Sequence, residues 1–288
     1  MKKYAVIDIG SNSVRLMFVA NGKVLYKRLN TTRLGDGLAQ TGVLKTEAIV
    51  RSANAVTSFF AQAKNEGAEE VFAFATAAVR SAKNGQDFVQ AVKNGCGLQI
   101  EVLSGETEAE IGLLGALGAE NGAVIDVGGA STELVMQSSG KIVYKKSVNV
   151  GVVRLKDACG NEKALLENRC KQEVVQFLNA PKISNVYAIG GTATTLAALA
   201  LGLQQYSSKK VTGSALSLQT MQRLVDELSK KSVEEIAAMP CVSQGRADVL
   251  TGGAIWLLTV MQALSLDKLT VSDRDNLEGY AVKKGLSV

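Results

Sequence analysis

The chain has 288 residues, 47% hydrophobic and 20% charged, which is ample for two domains of about 100–150 residues each and too apolar for a disordered chain. The formal net charge is a mild +5, compatible with a polyanionic ligand, but the basic residues are scattered and aromatics make up only 5%, so no stacking platform for nucleic acid is expected. Histidine is absent, which excludes a Ser-His-Asp triad, a Cys-His pair and nearly all catalytic zinc arrangements, leaving carboxylates, hydroxyls, arginines, backbone amides and a hard cation.

The start, MKKYAVIDIG, breaks its apolar run at Asp8 and does not read as a signal peptide. From it the first element follows. Apolar runs at Val6–Ile9, Val14–Val19 and Val24–Leu29, separated by turn signals, predict a three-stranded meander. Thr46–Lys64 has the spacing of an amphipathic helix, Glu70–Phe74 that of a short strand, and Gln99–Leu103 that of another. Ser104 is the expected N-cap of the helix that follows, in SGETEAEIGLLGAL.

At Ala123 the opening is written again. AVIDIGSNSVRLMFVANGKVLYK (Ala5–Lys27) and AVIDVGGASTELVMQSSGKIVYK (Ala123–Lys145) align without a gap at an offset of 118, identical at 11 of 23 positions. Composition alone would give about one or two matches. The second meander is expected at Val124–Val127, Thr132–Gln137 and Ile142–Lys146. A helix over Glu162–Leu178, a strand at Val186–Ile189 and helices near Thr194–Ala200, Leu218–Lys230 and Arg246–Leu264 complete the pattern. A period of 118 is too long for a solenoid and suits a duplicated domain. Strands mixed with helices in two similar halves predict an α/β fold, domains 1–120 and 121–288, with a cleft between them.

The longest apolar stretch, GGAIWLLTVMQAL, is too short to span a bilayer, and no membrane partner is expected. Cys96, Cys159, Cys170 and Cys241 lie far apart and fit no metal-ligand spacing; they read as reduced thiols of a cytoplasmic protein.

The repeated Asp-x-Gly-x-x-Ser has a physical reading. A turn between strands presents backbone N–H groups and a hydroxyl to phosphate oxygens, with glycine allowing close approach. Asp8 and Asp126, at strand ends, are suited to hold Mg²⁺ directly or through water. One such turn alone would be an ordinary hairpin; two in register point to a phosphate chain. Among the helical acids, Glu106 and Glu110 share one face and Glu108 points away with Ile111 and Gly115. Spacing does not say which face serves the site.

IDIGSNSVRL, FATAAVR, SGETEAEIGLLGAL, IDVGGASTELV, AIGGTATTLAAL and RADVLTGGAIWLL occur in the order found in the exopolyphosphatase and guanosine pentaphosphate phosphatase family, which the chain resembles from Ala5 to about Gly279. The resemblance implies two duplicated actin-like (ribonuclease H-like) domains facing across a cleft, with the last helix returning to the first domain. It implies Mg²⁺-dependent hydrolysis of a terminal phosphoanhydride in polyphosphate or guanosine pentaphosphate, the tetraphosphate being a further ligand, and it leaves a homodimer open. Carried over residue by residue, Glu108 matches the catalytic base and Arg80 a phosphate-contacting arginine. Asp8, Ser11, Asn12 and Ser13 fall in the first phosphate loop, and Gly128, Gly129, Ala130 and Ser131 in the second. Gly190, Gly191 and Thr192 fall in the third, and Asp126 and Glu133 match an acidic pair near the metal.

Three departures stand out: Ala130 replaces a glycine, Thr212 a histidine, and Leu277 an arginine in SDRDNLEG. An alanine at 130 costs on the order of 1 kcal/mol if the position needs positive φ; the lost cation at 277 weakens the expectation of tight binding to long polyphosphate. Longer members carry further C-terminal helical domains, so short-chain substrates are expected. Two other readings share the cleft: a small-molecule kinase, and a sensor that binds an alarmone or nucleotide without consuming it.

Overall fold

A computed structural model describes residues 2–182 and 184–288. The chain divides into two units, Met1–Gly115 with Asn276–Val288, and Ala116–Asp275. In the first run β1 (Lys3–Ile9), β2 (Ser13–Ala20), β3 (Lys23–Thr31), α1 (Leu38–Thr41), α2 (Thr46–Asn65), β4 (Glu70–Ala75), α3 (Ala77–Ser81), α4 (Gly85–Cys96), β5 (Glu101–Val102) and α5 (Gly105–Ala116). The second holds β6 (Gly122–Val127), β7 (Thr132–Ser138), β8 (Lys141–Val148), α6 (Val152–Cys159) and α7 (Lys163–Glu173). It continues with β9 (Val186–Ile189), α8 (Gly190–Ala200), α9 (Ser208–Val211), β10 (Ala215–Ser217), α10 (Leu218–Leu228), α11 (Val233–Ala237), α12 (Gln244–Ala263) and β11 (Lys268–Val271). The last helix, α13 (Asn276–Lys283), belongs to the first unit.

The duplication is visible in the backbone. The first sheet has the order β3-β2-β1-β4-β5 and the second β10-β11-β9-β6-β7-β8. In each, three antiparallel strands form a meander whose first strand pairs in parallel with the strand that follows the helices. This is the ribonuclease H-like order of actin-like domains, written twice in one α/β chain. The two meanders share even their irregularity: the register slips between Phe18 and Val19 and again between Met136 and Gln137, positions 118 apart. Their hairpins close alike, with Asn21-Gly22 at φ 54° and 71° and Ser139-Gly140 at φ 51° and 72°. Two successive left-handed residues make the turn that matches strand twist.

Both faces of the first sheet are covered. Ala5, Ile7 and Ile9 point into a core shared with α2 and α4, while Tyr4 and Val6 point into one shared with Ile111 of α5 and Leu277, Tyr280 and Ala281 of α13. A strand buried on both faces reads as a continuous apolar run, as β1 and β6 do. Leu277 is fully buried here, a contribution of about 1.5–3 kcal/mol. The position expected to lack a binding cation therefore serves packing. The second core gathers around Trp256 of α12.

Three expected elements change. The strand over Gln99–Leu103 shrinks to β5, Glu101–Val102, because only β4 pairs with it at the sheet edge. The helix over Glu162–Leu178 ends at Glu173, and Val174–Phe177 continues as a tighter 3₁₀ turn. The helix expected from Thr194 begins at Gly190, so Gly190-Gly191-Thr192 is its first turn rather than a loop before it. Among the described residues no helix is long and apolar enough to cross a membrane.

Candidate functional site

The first unit presents the turn Gly10–Ser13. The Gly10 N–H donates to the Ser13 carbonyl at 3.0 Å, closing it. The chain leaving β3 then folds back: the Gly35 N–H donates to the Ser11 carbonyl at 2.8 Å, and the Thr32 and Arg33 N–H groups donate to the Asn12 carbonyl at 3.1 and 2.8 Å. The peptides of the described residues are trans, so anchoring these carbonyls behind the turn directs the N–H groups of Asn12 and Ser13 the opposite way. Asp8, buried near the end of β1, stands opposite Arg15 in the β1–β2 register. Arg15 Nε donates to Asp8 Oδ2 at 3.0 Å, and its Nη2 bonds the same oxygen.

Arg80 and Glu108 meet in this unit. Arg80 follows the buried Ala77–Val79 face of α3, which starts where β4 ends. Its Nη1 donates to Glu108 Oε2 at 2.9 Å and to the Leu103 carbonyl at 2.7 Å. Glu108 lies in the first turn of α5, where Ser104 Oγ accepts the Thr107 N–H at 3.1 Å as the expected cap. A carboxylate here gains from the positive end of the helix. Glu108 is only 7% exposed and faces into the fold, while Glu106 is on the surface.

In the second unit the turn Gly128–Ser131 repeats the first, again with a 3.0 Å Gly128 N–H to Ser131 carbonyl bond. The segment after β8 folds back in the same manner. The Val152 N–H donates to the Gly128 carbonyl at 3.0 Å, the Val153 N–H to the Gly129 carbonyl at 2.8 Å, and Arg154 Nε to the Ala130 carbonyl at 2.8 Å. Ala130 is buried and is not among the residues with positive φ, so its methyl group causes no backbone strain. Behind the turn, Trp256 Nε1 donates to Thr132 Oγ1 at 2.8 Å, and Thr132 Oγ1 donates to the Val150 carbonyl at 2.5 Å.

Asp126 is buried opposite Glu133 in the β6–β7 register, and Glu133 Oε1 accepts from Ser147 Oγ at 2.6 Å. The first turn of α8 comes up against Asp126. Gly190 has φ +80°, and a Cβ there would stand 2.6 Å from Asp126 Oδ1, so both backbone and space require glycine. Thr192 Oγ1 reaches the Val127 carbonyl at 3.5 Å. The second unit thus brings Asp126, the second turn and the Gly190–Thr192 turn together. Thr212 Oγ1, where the resemblance leads one to expect histidine, accepts the Asp273 N–H at 3.1 Å.

Three arginines escaped the sequence reading. Arg15 carried a signal: it occupies the repeat position of Glu133, with opposite charge. Arg246 begins a quoted motif, and its Nη1 donates to the Gly191 carbonyl at 2.8 Å and Thr195 Oγ1 at 2.7 Å. Arg154 gave none. As for metals, the described residues contain no cluster of three His, Cys, Asp or Glu able to hold an ion alone. Two neighbouring carboxylates, Asp126 and Glu133, are the number Mg²⁺ commonly takes from a protein when phosphates supply the rest.

Comparison with known proteins identifies the family and the fold. Exopolyphosphatase 2 of Mycobacterium tuberculosis is 31% identical over 98% of both chains. A guanosine-5′-triphosphate,3′-diphosphate pyrophosphatase of Vibrio vulnificus is 29% identical over 99% of this chain and 58% of its own length. The crystal structure of an Aquifex aeolicus Ppx/GppA protein superposes with a TM-score of 0.80 at 30% identity, covering 99% of this chain and 97% of the other. An exopolyphosphatase structure from Cytophaga hutchinsonii gives 0.88 at 25% identity over 99% of each. Residues 16–287 match the family's sequence model; the chain is a hydrolase and belongs to the Ppx/GppA phosphatase family.

Proposed function

We propose that the chain hydrolyses the terminal phosphoanhydride bond of inorganic polyphosphate or guanosine pentaphosphate, releasing orthophosphate. The observation that carries this reading is the buried Glu108 carboxylate ion-paired to Arg80 in a chain without histidine. Glu108 orients a water molecule and accepts its proton as the water oxygen bonds to the terminal phosphorus. The bridging P–O bond breaks, and its electron pair leaves with the shortened chain. Arg80 fixes the base and offers a planar fork to phosphate oxygens. Each unit offers its own outward amides to phosphate oxygens, the Gly10–Ser13 turn in the first and the Gly128–Ser131 turn with the first turn of α8 in the second. Phosphoryl transfer needs little more than such positioning and charge neutralisation.

Asp126 and Glu133 would hold Mg²⁺, which when bound neutralises phosphate charge. Asp8, the other carboxylate expected at the metal, is ion-paired with Arg15 across the β1–β2 register. The names of the relatives support both substrate classes. Phosphate release from short and long polyphosphates and from guanosine pentaphosphate, with and without Mg²⁺, tests the reading. Release that depends on Glu108 is expected. Binding of these compounds without release would replace hydrolysis with the sensor reading, and transfer from ATP to a small molecule would replace it with the kinase reading.

A further inference from the structure

The two turns are anchored at equivalent carbonyls by different chemistry. Ser11 corresponds to Gly129, and backbone amides hold each: Gly35 in the first unit, Val153 at 2.8 Å and Arg154 at 3.4 Å in the second. Asn12 corresponds to Ala130. The Asn12 carbonyl accepts two backbone N–H groups, from Thr32 and Arg33, whereas the Ala130 carbonyl accepts the side chain of Arg154. A guanidinium therefore does at the second turn what two amides do at the first.

We propose that Arg154 is a positioning residue for the second turn, fixing the Ala130–Ser131 peptide so that the Ser131 N–H faces a phosphate oxygen; this rests on reading that turn as an anion site. A charged donor bonds the carbonyl more strongly than an amide does and polarises the peptide, strengthening its N–H as a donor. The approach is close. Gly151, which opens the segment, lies so near the Gly129–Ala130 peptide that a Cβ would come within 2.5 Å of it. Burial pulls the Arg154 guanidinium below its usual range, with Asp157 opposing, so the charge is partly desolvated beside the turn, where its field reaches an anion with less screening.

The test measures tripolyphosphate affinity by calorimetry, alongside melting temperature, for the wild type, Arg154→Ala and Arg154→Lys. Arg154→Ala should bind tripolyphosphate roughly tenfold or more weakly, with KM for phosphate release rising more than kcat falls, and guanidinium chloride at low concentration should return part of the affinity. Arg154→Lys keeps the charge but not the planar fork and should stay weak. Wild-type affinity in either variant overturns the proposal, as does a wild type that does not bind tripolyphosphate. Should Arg154→Ala fail to fold, Arg154→Lys decides. A wild type that binds tripolyphosphate but releases no phosphate from any substrate refutes the hydrolase reading, while the affinities still decide the role of Arg154.

Discussion

Arg15 and Glu133 occupy the same place in two copies of one hairpin, each directly across the strands from an aspartate. The consequence is electrostatic. Asp8 has a guanidinium as its neighbour, and Asp126 has a second carboxylate. Opposed residues in an antiparallel pair hold their Cβ atoms about 4.5–5.5 Å apart, where like charges are destabilising. Asp8 meets a cation within its own hairpin, whereas the equivalent hairpin of the second unit places two carboxylates opposite each other. Duplication followed by a change of sign at one position has made two equivalent turns chemically different.

Glu133→Gln should accordingly raise the Mg²⁺ concentration giving half-maximal phosphate release by at least about tenfold. Its effect on melting temperature without metal should be small or favourable, because one of two crowded carboxylates is gone. A Mg²⁺ titration of phosphate release reads the first quantity and a thermal melt without metal the second. An unchanged Mg²⁺ requirement would remove Glu133 from the metal site.

Glu108 and Arg80 separate chemistry from stability. Glu108→Gln should lower turnover by about 10²–10⁴-fold while tripolyphosphate affinity stays within a few-fold, since the amide keeps the shape but cannot take the proton. Normal turnover in this variant would show that another group activates water. Arg80→Ala withdraws a guanidinium from a carboxylate inside the fold. Breaking a fully buried pair costs roughly 3–5 kcal/mol, but the Arg80 side chain is 25% exposed, so a loss on the order of 2 kcal/mol is expected. Chemical denaturation measures it.

These pairs show what the sequence could and could not convey. The meanders were legible because apolar runs, turn signals and the repeat agreed, and α2 because its apolar stripe spans Thr46–Asn65. The start of α8 was misplaced because two glycines read as a loop, whereas Gly190 enters the helix at positive φ where no other residue would fit. The Glu108 face needed tertiary structure, since its partner lies 28 residues away. The segments gripping the two turns were invisible for a different reason. Most of their contacts come from backbone N–H groups, which any residue but proline supplies, so Thr32–Gly35 and Gly151–Arg154 share no sequence.

The four thiols should divide two and two. Cys96 and Cys241 are partly exposed, while Cys159 and Cys170 are buried in the core of the second unit. Burial, reinforced by neighbouring Cys159 and nearby acids, pushes the Cys170 thiol up to about 12, and the thiolate is the reactive form. A colorimetric disulfide reagent should therefore titrate two thiols of the native protein quickly and all four after unfolding. Fast labelling of Cys170, located by mass spectrometry, would contradict its placement between α6 and α12.

Acid should loosen the return of the last helix to the first unit. Glu101 at β5 receives Tyr280 Oη at 2.8 Å and pairs with Lys284 Nζ at 2.8 Å, both from the chain's final segment. The Lys284 bond is the main cause holding the Glu101 carboxyl below its ordinary value of 4.5, burial opposing it and Tyr280 and Lys283 assisting. A depressed carboxylate contributes stability in full above its unfolded value and loses it as pH falls through the folded one. The melting temperature of the wild type should thus fall as pH drops through and below the usual glutamate range. Glu101→Gln should begin lower at neutral pH, fall less over the same interval, and converge with the wild type in acid. Melting curves that stay parallel down the pH series would mean that the contact between Glu101 and the final segment contributes nothing to stability.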